Sequence, residues 1–264
     1  MQFLEILILS FIQGLSEVLP ISSSMHLYLS NFFFGFQDPT LAFVVASHAG
    51  SLLAFVFFFF KDLKLLFQGV FDVFKGKVTL EFYQGLQFIC ATMPVIVFGY
   101  FANKYFDFSI KDQRVVGGVS ILFAVLLWMA DRTSIKIQSL RHMTLKRSLF
   151  IGLFQVFAIM PGVSRSGVTL TAARFLGFSR EDAAKFIFIM AIPTIFGAVV
   201  LKSMDLVTLG QSLFSPEILM AIFYSCVWTL LFLHLLFRWI QKYTLTPIII
   251  YRVILGLILI IYAK

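Results

Sequence analysis

Charged residues are scarce in this 264-residue chain: Asp, Glu, Lys and Arg make up 13% of it, and apolar and aromatic residues make up 60%. Soluble domains carry about 25% charged and 45–50% apolar residues. A mean hydropathy of +0.95 therefore excludes a water-soluble globule. The net charge is +8. Because basic residues that flank apolar runs orient membrane proteins, we attribute this excess to a membrane and predict no nucleic-acid partner.

Cysteine is also nearly absent. Cys90 and Cys226 lie in apolar stretches, without a CxxC pair or a histidine at ligand spacing. This pattern argues against a disulfide framework and a zinc site.

The first apolar run lacks the basic start and the small-residue cleavage site of a secretory signal peptide, so we expect it to belong to the mature protein.

Six apolar runs have roughly the 20-residue length of a membrane-spanning helix. They are Leu41–Phe60, Leu86–Phe101, Val115–Ala130, Phe186–Leu201, Ile218–Phe237 and Pro247–Tyr262. Two further apolar regions, Phe3–Phe34 and Leu149–Phe178, are interrupted by polar segments at residues 20–24 and 161–167. Each half is too short to span, and unwound backbone at membrane depth must be buried or line a wet cavity. We therefore predict an all-α polytopic membrane protein, a single domain over residues 1–264, with six transmembrane helices and two re-entrant helix-loop-helix hairpins.

The distribution of Lys and Arg predicts the orientation. They are concentrated in Lys61–Lys77 and Asp131–Arg147, which we place in the cytoplasm. Alternation puts Lys104–Arg114 and both termini outside, so the first hairpin enters from outside and the second from inside. This is an inverted repeat, with halves at about residues 1–130 and 148–264. A gapless alignment supports it by pairing Gln13 with Gln155, Ser22 with Ser164, Ser24 with Ser166, Phe33 with Phe175, Gly35 with Gly177, Phe36 with Phe178 and Ala42 with Ala184.

The polar residues of the second interruption indicate a phosphate site. Ionisable groups at membrane depth are costly and by default functional. Arg165 presents a permanently charged fork of donors that suits phosphate oxygens. The hydroxyl groups of Ser164, Ser166 and Thr169 add further donors.

The first interruption supplies reactive groups. Ser23 is a candidate nucleophile, and His26 is a candidate general acid or base. Glu17 could orient that histidine or hold a divalent cation against phosphate, and Gln13 lies one helical turn away on the same face. We leave His48 outside the catalytic set.

Two longer motifs contain these residues: Gln13-Gly-Leu-Ser-Glu17 running into Val-Leu-Pro20-Ile-Ser22-Ser23-Ser24-Met25-His26, and Pro161-Gly-Val-Ser164-Arg165-Ser166-Gly-Val-Thr169. Both closely resemble motifs of the bacterial undecaprenyl-diphosphate phosphatases that confer bacitracin resistance. The second motif matches the family pattern without a departure, and the resemblance extends along nearly the whole chain.

The resemblance implies hydrolysis of undecaprenyl diphosphate to undecaprenyl phosphate and inorganic phosphate at the outer face of the bacterial inner membrane, which recycles the lipid carrier of peptidoglycan synthesis. It also implies a polyprenyl diphosphate lipid and membrane lipids as partners, and a homodimer. We expect the catalytic residues to be Ser23, His26, Glu17 and Arg165. The expected substrate ligands are Ser22, Ser164, Ser166 and Thr169. A divalent cation, Mg²⁺ or Ca²⁺, is expected to be bound by Glu17 and Gln13.

Two residues depart from the common family pattern. Gln13 replaces a frequent Glu, which should weaken a metal site, and Met25 replaces a frequent glycine, so the backbone of the first interruption can differ from that of other members.

A second class of function stays open, because inverted repeats with broken helices also build secondary transporters, in which Arg165 would bind an anionic substrate. In a purely structural interpretation, Arg165 would pair with Glu17. Arg252 is expected to snorkel to the membrane interface.

Overall fold

A computed structural model of the chain describes residues 2–36, 39–105, 112–133, 138–211 and 214–262. Within these ranges the fold is all-α, and the single pairing of extended backbone is a bridge between Gln138 and Phe178. The helices are α1 (Phe3–Val18), α2 (Ser23–Phe34), α3 (Leu41–Phe58), α4 (Phe60–Phe74), α5 (Leu80–Tyr105), α6 (Gln113–Thr133), α7 (Leu145–Val156), α8 (Arg165–Phe175), α9 (Arg180–Thr208), α10 (Pro216–Lys242) and α11 (Thr246–Tyr262). Two short 3-10 helices, Leu140–His142 and Phe157–Ile159, flank α7.

Five helices in the described part are long and apolar enough to cross a membrane: α3, α5, α6, α9 and α10. They match the first five predicted spans, although the first, Leu41–Phe60, runs two residues beyond the end of α3 at Phe58. The chain is therefore a multi-pass membrane protein. The sixth predicted span, Pro247–Tyr262, lies in α11, which is apolar but has only 17 residues.

The segment Lys61–Lys77, which we placed in the cytoplasm as a connection between spans, is mostly the helix α4. Its side chains Phe67, Phe71 and Phe74 are exposed and recur at i, i+4 and i+7, on one helical face, and the same helix carries the charged residues Lys61, Asp62, Lys64 and Asp72. This amphipathic pattern is typical of a helix that lies in the membrane–water interface. The other two connections fall partly outside the described residues, at 106–111 and 134–137.

Both predicted interruptions are breaks between helices. The first separates α1 from α2, and the second separates the Phe157–Ile159 turn from α8. A proline disfavours helical backbone in the residue before it. Accordingly, Leu19 before Pro20 is extended (φ −73°, ψ 148°), as is Met160 before Pro161 (φ −75°, ψ 132°).

The helices of the two halves interleave. Helix α1 packs on α10, α7 packs on α5, and α9 contacts both α3 and α5. Helices α6 and α11 cross at Gly117 and Gly256, where a Cβ atom added to Gly117 would lie 2.6 Å from the Gly256 carbonyl oxygen. Small residues allow such close approach of membrane helices. Helix α8 is buried along most of its length and carries the second break into the centre of the bundle.

Candidate active site

Each break ends at a serine with left-handed backbone. Ser22 has a φ of 73° and Ser164 a φ of 68°, and no other non-glycine residue in the described ranges has a positive φ. Such a residue costs about 1–3 kcal/mol and persists only where its surroundings hold it. These two serines are partners in the gapless alignment, so the same conformation recurs at equivalent positions.

Glu17 lies at the centre of the polar cluster. It occupies the last turn of α1, and 6% of its surface is exposed. Its Oε1 accepts a hydrogen bond from Arg165 Nη2 at 2.5 Å. Its Oε2 accepts from Ser23 Oγ at 2.9 Å and from Gln13 Nε2 at 3.1 Å. The predicted shared face of Gln13 and Glu17 is therefore confirmed, and the expected nucleophile donates to a buried carboxylate.

Two polar contacts join the breaks directly. One is the ion pair between Arg165 and Glu17. The other is a hydrogen bond of 3.1 Å from Ser166 Oγ to the Leu19 carbonyl oxygen. Arg165 also donates from Nη1 to the Ala191 carbonyl at 3.3 Å, which leaves the guanidinium held on two sides.

A cavity of about 770 Å³ opens beside this cluster. Its polar lining comes mainly from around the two breaks and includes Glu17, Ser22, Ser23, Ser24, Ser164, Arg165 and Ser166. The rest of the lining is largely apolar and includes Val44, Val95 and Ile195. One cavity thus offers a charged end and apolar walls, which suits a ligand with an anionic head and a hydrocarbon tail.

Thr169, expected to bind substrate, does not line this cavity. Its hydroxyl donates to the Arg165 carbonyl at 2.8 Å, within α8. Ser164 caps the same helix, because its Oγ accepts from the Gly167 backbone N–H at 3.2 Å. Thr169 therefore contacts the backbone that carries Arg165 and not the cavity.

His26 is also absent from the cavity wall. Its Nδ1 lies 2.7 Å from the Ser22 carbonyl oxygen, and its Nε2 lies 2.7 Å from the hydroxyl of Tyr251 on α11. The structure therefore brings Ser23, Glu17 and Arg165 together but turns His26 toward α11.

His48, which we left outside the catalytic set, lines the cavity instead. Its Nδ1 lies 2.8 Å from the Val44 carbonyl oxygen and therefore carries a hydrogen, which leaves Nε2 facing Glu17 Oε2 at 3.6 Å. The available signal was a histidine inside a predicted span, since ionisable residues at that depth are by default functional. It contacts Glu17 across helices, however, and that pairing cannot be deduced from spacing.

The expected cation ligands can be tested against this geometry. Within the described ranges, no group of three or more His, Cys, Asp or Glu residues could hold a metal ion. Among the residues that the structure describes, Glu17 is the only carboxylate on the cavity wall, and none of them bonds the buried Oε1 of Gln13. Gln13 does not line the cavity, and its Nε2 donates to Glu17. The protein therefore supplies few ligands, and a cation such as Mg²⁺ would need substrate phosphates and water to complete its shell.

We expected Arg252 to snorkel to the interface, but this was wrong, because its side chain is fully buried. Its Nη2 donates to the carbonyl oxygens of Gly162 at 3.2 Å and Val163 at 3.0 Å. These carbonyls lie in the second break, where no helix supplies their partners. The Gly162 and Val163 carbonyls need a hydrogen-bond donor inside the bundle, and Arg252 supplies it instead of extending to water.

Comparisons with known proteins find a matching family and similar individual proteins. A family model described as Bacitracin resistance protein BacA matches residues 6–258. The chain is also 37% identical over 260 residues to a protein from Alteromonas mediterranea named undecaprenyl-diphosphatase, and the match covers 98% of each chain.

Proposed function

The chain belongs to the bacitracin resistance protein BacA family, as its motifs suggested, and we propose that it is an undecaprenyl-diphosphate phosphatase. It hydrolyses undecaprenyl diphosphate to undecaprenyl phosphate and inorganic phosphate, and so recycles the lipid carrier of peptidoglycan synthesis. The observation that carries this proposal is the cluster in which Ser23 donates to Glu17 beside the Arg165 guanidinium, at the polar end of an apolar cavity.

Substrate binding begins with the Arg165–Glu17 ion pair. A guanidinium binds phosphate oxygens with two parallel hydrogen bonds, and a diphosphate offers several acceptors. We infer that Arg165 turns from Glu17 to the diphosphate, while Ser22, Ser164 and Ser166 add hydroxyl donors. The prenyl chain lies along the apolar walls of the cavity.

The chemical step then uses Glu17 as a base. Released from Arg165, its carboxylate accepts the proton of Ser23, whose Oγ forms a bond to the terminal phosphorus. The bond from that phosphorus to the bridging oxygen breaks, and undecaprenyl phosphate leaves. The proton that Glu17 took from Ser23 leaves with the undecaprenyl phosphate, so that Glu17 is again a carboxylate. Water then attacks the phosphoserine and gives a proton to Glu17, which passes it to the Ser23 oxygen as the bond from that oxygen to phosphorus breaks and inorganic phosphate leaves. In the runner-up version, water attacks directly and Ser23 only binds the phosphate.

We propose that a divalent cation assists, held by Glu17 and by the free amide oxygen of Gln13. When bound, it would neutralise charge on the diphosphate and on the leaving phosphate. Gln13 contributes no charge, so we expect weaker metal binding here than in a chain with a carboxylate at this position.

We also propose the arrangement in the membrane. Helices α3, α5, α6, α9, α10 and α11 span the bacterial inner membrane, and the breaks are the tips of two re-entrant hairpins in an inverted repeat. The shared conformation of Ser22 and Ser164 supports the repeat. The basic segments lie in the cytoplasm, and the cavity opens to the exterior.

A direct test is phosphate release by the purified protein in detergent. We expect inorganic phosphate to be produced from undecaprenyl diphosphate, and Ser23→Ala to lower the rate at least about a hundredfold because it removes the nucleophile. Ser24→Ala is the matched control, since its exposed hydroxyl makes no contact with Glu17 and its loss should be mild.

Two outcomes would contradict parts of this proposal. Equal rates for the two serine variants would remove Ser23 as nucleophile. Binding of the lipid without any phosphate release by the wild-type protein would favour the alternative, a transporter or flippase of an anionic substrate.

A further inference from the structure

Helix α11 contacts the first break through Tyr251. The Tyr251 hydroxyl lies 2.7 Å from His26 Nε2, and the two rings stack with centroids 5.7 Å apart. His26 Nδ1 lies 2.7 Å from the Ser22 carbonyl oxygen. A carbonyl only accepts, so Nδ1 carries the hydrogen and Nε2 accepts from the tyrosine hydroxyl. A continuous chain of hydrogen bonds therefore joins α11 to the backbone of Ser22.

The next residue of α11, Arg252, contacts the second break. It donates to the carbonyl oxygens of Gly162 and Val163, the two residues before Ser164. Its Nη1 lies close to Gly167, where an added Cβ would be 2.8 Å from that nitrogen. In the described part of the chain, no carboxylate pairs with Arg252, and its Nε and Nη1 lack partners.

Burial of a guanidinium without a carboxylate is costly, which indicates that the held carbonyls matter. The carbonyl groups that His26 and Arg252 contact belong to Ser22 itself and to Gly162 and Val163, the two residues before Ser164. Ser22 and Ser164 are the two serines with positive φ. Such backbone persists only where its surroundings over-determine it. The residues that directly follow these serines are Ser23 and Arg165, the two groups that must meet the same phosphate.

We propose that Tyr251 and Arg252 are positioning residues that fix the two breaks relative to each other, and thereby Ser23 relative to Arg165. Tyr251 acts through His26, and Arg252 acts through the Gly162 and Val163 carbonyls. This inference rests on the phosphatase function proposed above, and it assigns roles to two residues of α11 outside the cavity wall.

The proposal also changes the role of His26. Both of its ring nitrogens are engaged, one by the Ser22 carbonyl and the other by the Tyr251 hydroxyl. Neither nitrogen is free to exchange a proton with a substrate in the cavity. His26 therefore links the first break to α11, in place of the acid–base role that its position after Ser23 suggested.

Tyr251→Phe is the sharpest test, because it removes one hydroxyl and keeps the ring. We expect kcat for phosphate release to fall about three- to tenfold, with KM unchanged and the apparent melting temperature lowered by no more than about 2–6 °C, the effect of losing one hydrogen bond. Tyr243→Phe is the control, since Tyr243 is exposed and its ring contacts Trp239, and its kcat should stay at the wild-type value. A Tyr251→Phe protein with wild-type kcat would overturn the proposal.

His26 variants separate positioning from proton transfer. Glutamine offers a donor and an acceptor, so His26→Gln should retain part of the activity that His26→Phe loses. If His26→Gln is as inactive as His26→Phe, the linking role is wrong and a proton-transfer role is supported.

Arg252 is tested by Arg252→Lys and Arg252→Met. Lysine keeps a donor for one carbonyl, so the kcat of Arg252→Lys should lie between those of the wild type and of Arg252→Met. Equal kcat values for all three proteins would overturn the positioning role of Arg252. Should Arg252→Met fail to fold, the Lys variant and Tyr251→Phe still decide. Wild-type protein measured alongside separates the two proposals: no phosphate release by it contradicts the phosphatase, whereas an active wild type with unaffected variants contradicts only the positioning role.

Discussion

At the scale of single residues, the site depends on the shape of the Arg165 side chain and not only on its charge. One guanidinium arm contacts Glu17 and the other contacts the Ala191 carbonyl. A lysine would place one compact charge where two directed arms now lie, and it could not bind two phosphate oxygens in parallel. The cavity would keep its positive charge but lose the two directed hydrogen-bond donors of the guanidinium.

We therefore predict that Arg165→Lys lowers kcat/KM for phosphate release about a hundredfold or more, a loss typical of removing a directed donor from an anion site. The control is Arg180→Lys, because Arg180 pairs with Asp131 away from the cavity. Its activity should stay near the wild-type value. Full activity of Arg165→Lys would show that charge alone suffices and would remove the phosphate clamp.

The histidines show what residue spacing can and cannot predict. His26 follows Ser23 by three residues, which suggested a catalytic pair, but α2 turns its ring toward α11. His48 reaches Glu17 from α3, a contact set by how helices pack. The Gln13–Glu17 and Arg165–Glu17 contacts were predictable, the first from helical periodicity and the second because a buried charge needs a partner.

At the scale of helices, the α6–α11 crossing supports the breaks from outside the cavity. Gly117 faces the backbone of α11 at this crossing, whereas its neighbour Gly118 has open space around it. Displacement of α11 would move Tyr251 and Arg252 together, and with them both breaks. The packing of this helix pair is thus coupled to the geometry of the site.

Gly117→Ala is accordingly expected to lower the free energy of unfolding by about 1–3 kcal/mol, because the new methyl group meets the Gly256 carbonyl. Gly118→Ala should be neutral or slightly stabilising, since alanine favours a helix and meets no neighbour there. The apparent melting temperatures of both proteins in the same detergent give the comparison. Equal melting temperatures would contradict the close approach of the two helices.

Helix positions were easier to predict than their lengths and contacts. Apolar runs located five spanning helices, and Pro20 and Pro161 located both breaks, because these signals are local in the chain. Helix α4 was missed since its charges resemble those of a loop, although its apolar residues share one face. The burial of Arg252 was unpredictable because its partners are carbonyls about ninety residues away.

At the scale of the whole molecule, the orientation in the membrane remains a prediction with a direct measurement. It follows from the basic residues of Lys61–Lys77 and Asp131–Arg147, which are expected in the cytoplasm. In a protein carrying Cys90→Ala and Cys226→Ala, Gln211→Cys should react with a membrane-impermeant thiol reagent in intact cells. Ser139→Cys should react only after permeabilisation.

Reaction of the Ser139→Cys protein in sealed cells would reverse the orientation. The inverted pairing of the hairpins would survive, with each hairpin entering from the opposite face. The cavity would then open to the cytoplasm, which conflicts with regeneration of a carrier lipid outside and favours a transporter.

The Arg165–Glu17 ion pair also affects how phospholipids of the surrounding membrane compete for the site. Their phosphodiester headgroups vastly outnumber any carrier lipid, and each brings a single negative charge. Such a headgroup must compete for Arg165 with a carboxylate that already lies 2.5 Å away and is part of the same molecule. A terminal diphosphate brings more charge and more oxygen atoms, so it can displace Glu17 where a headgroup cannot. The resting protein is thereby protected from competitive inhibition by the membrane in which it is dissolved.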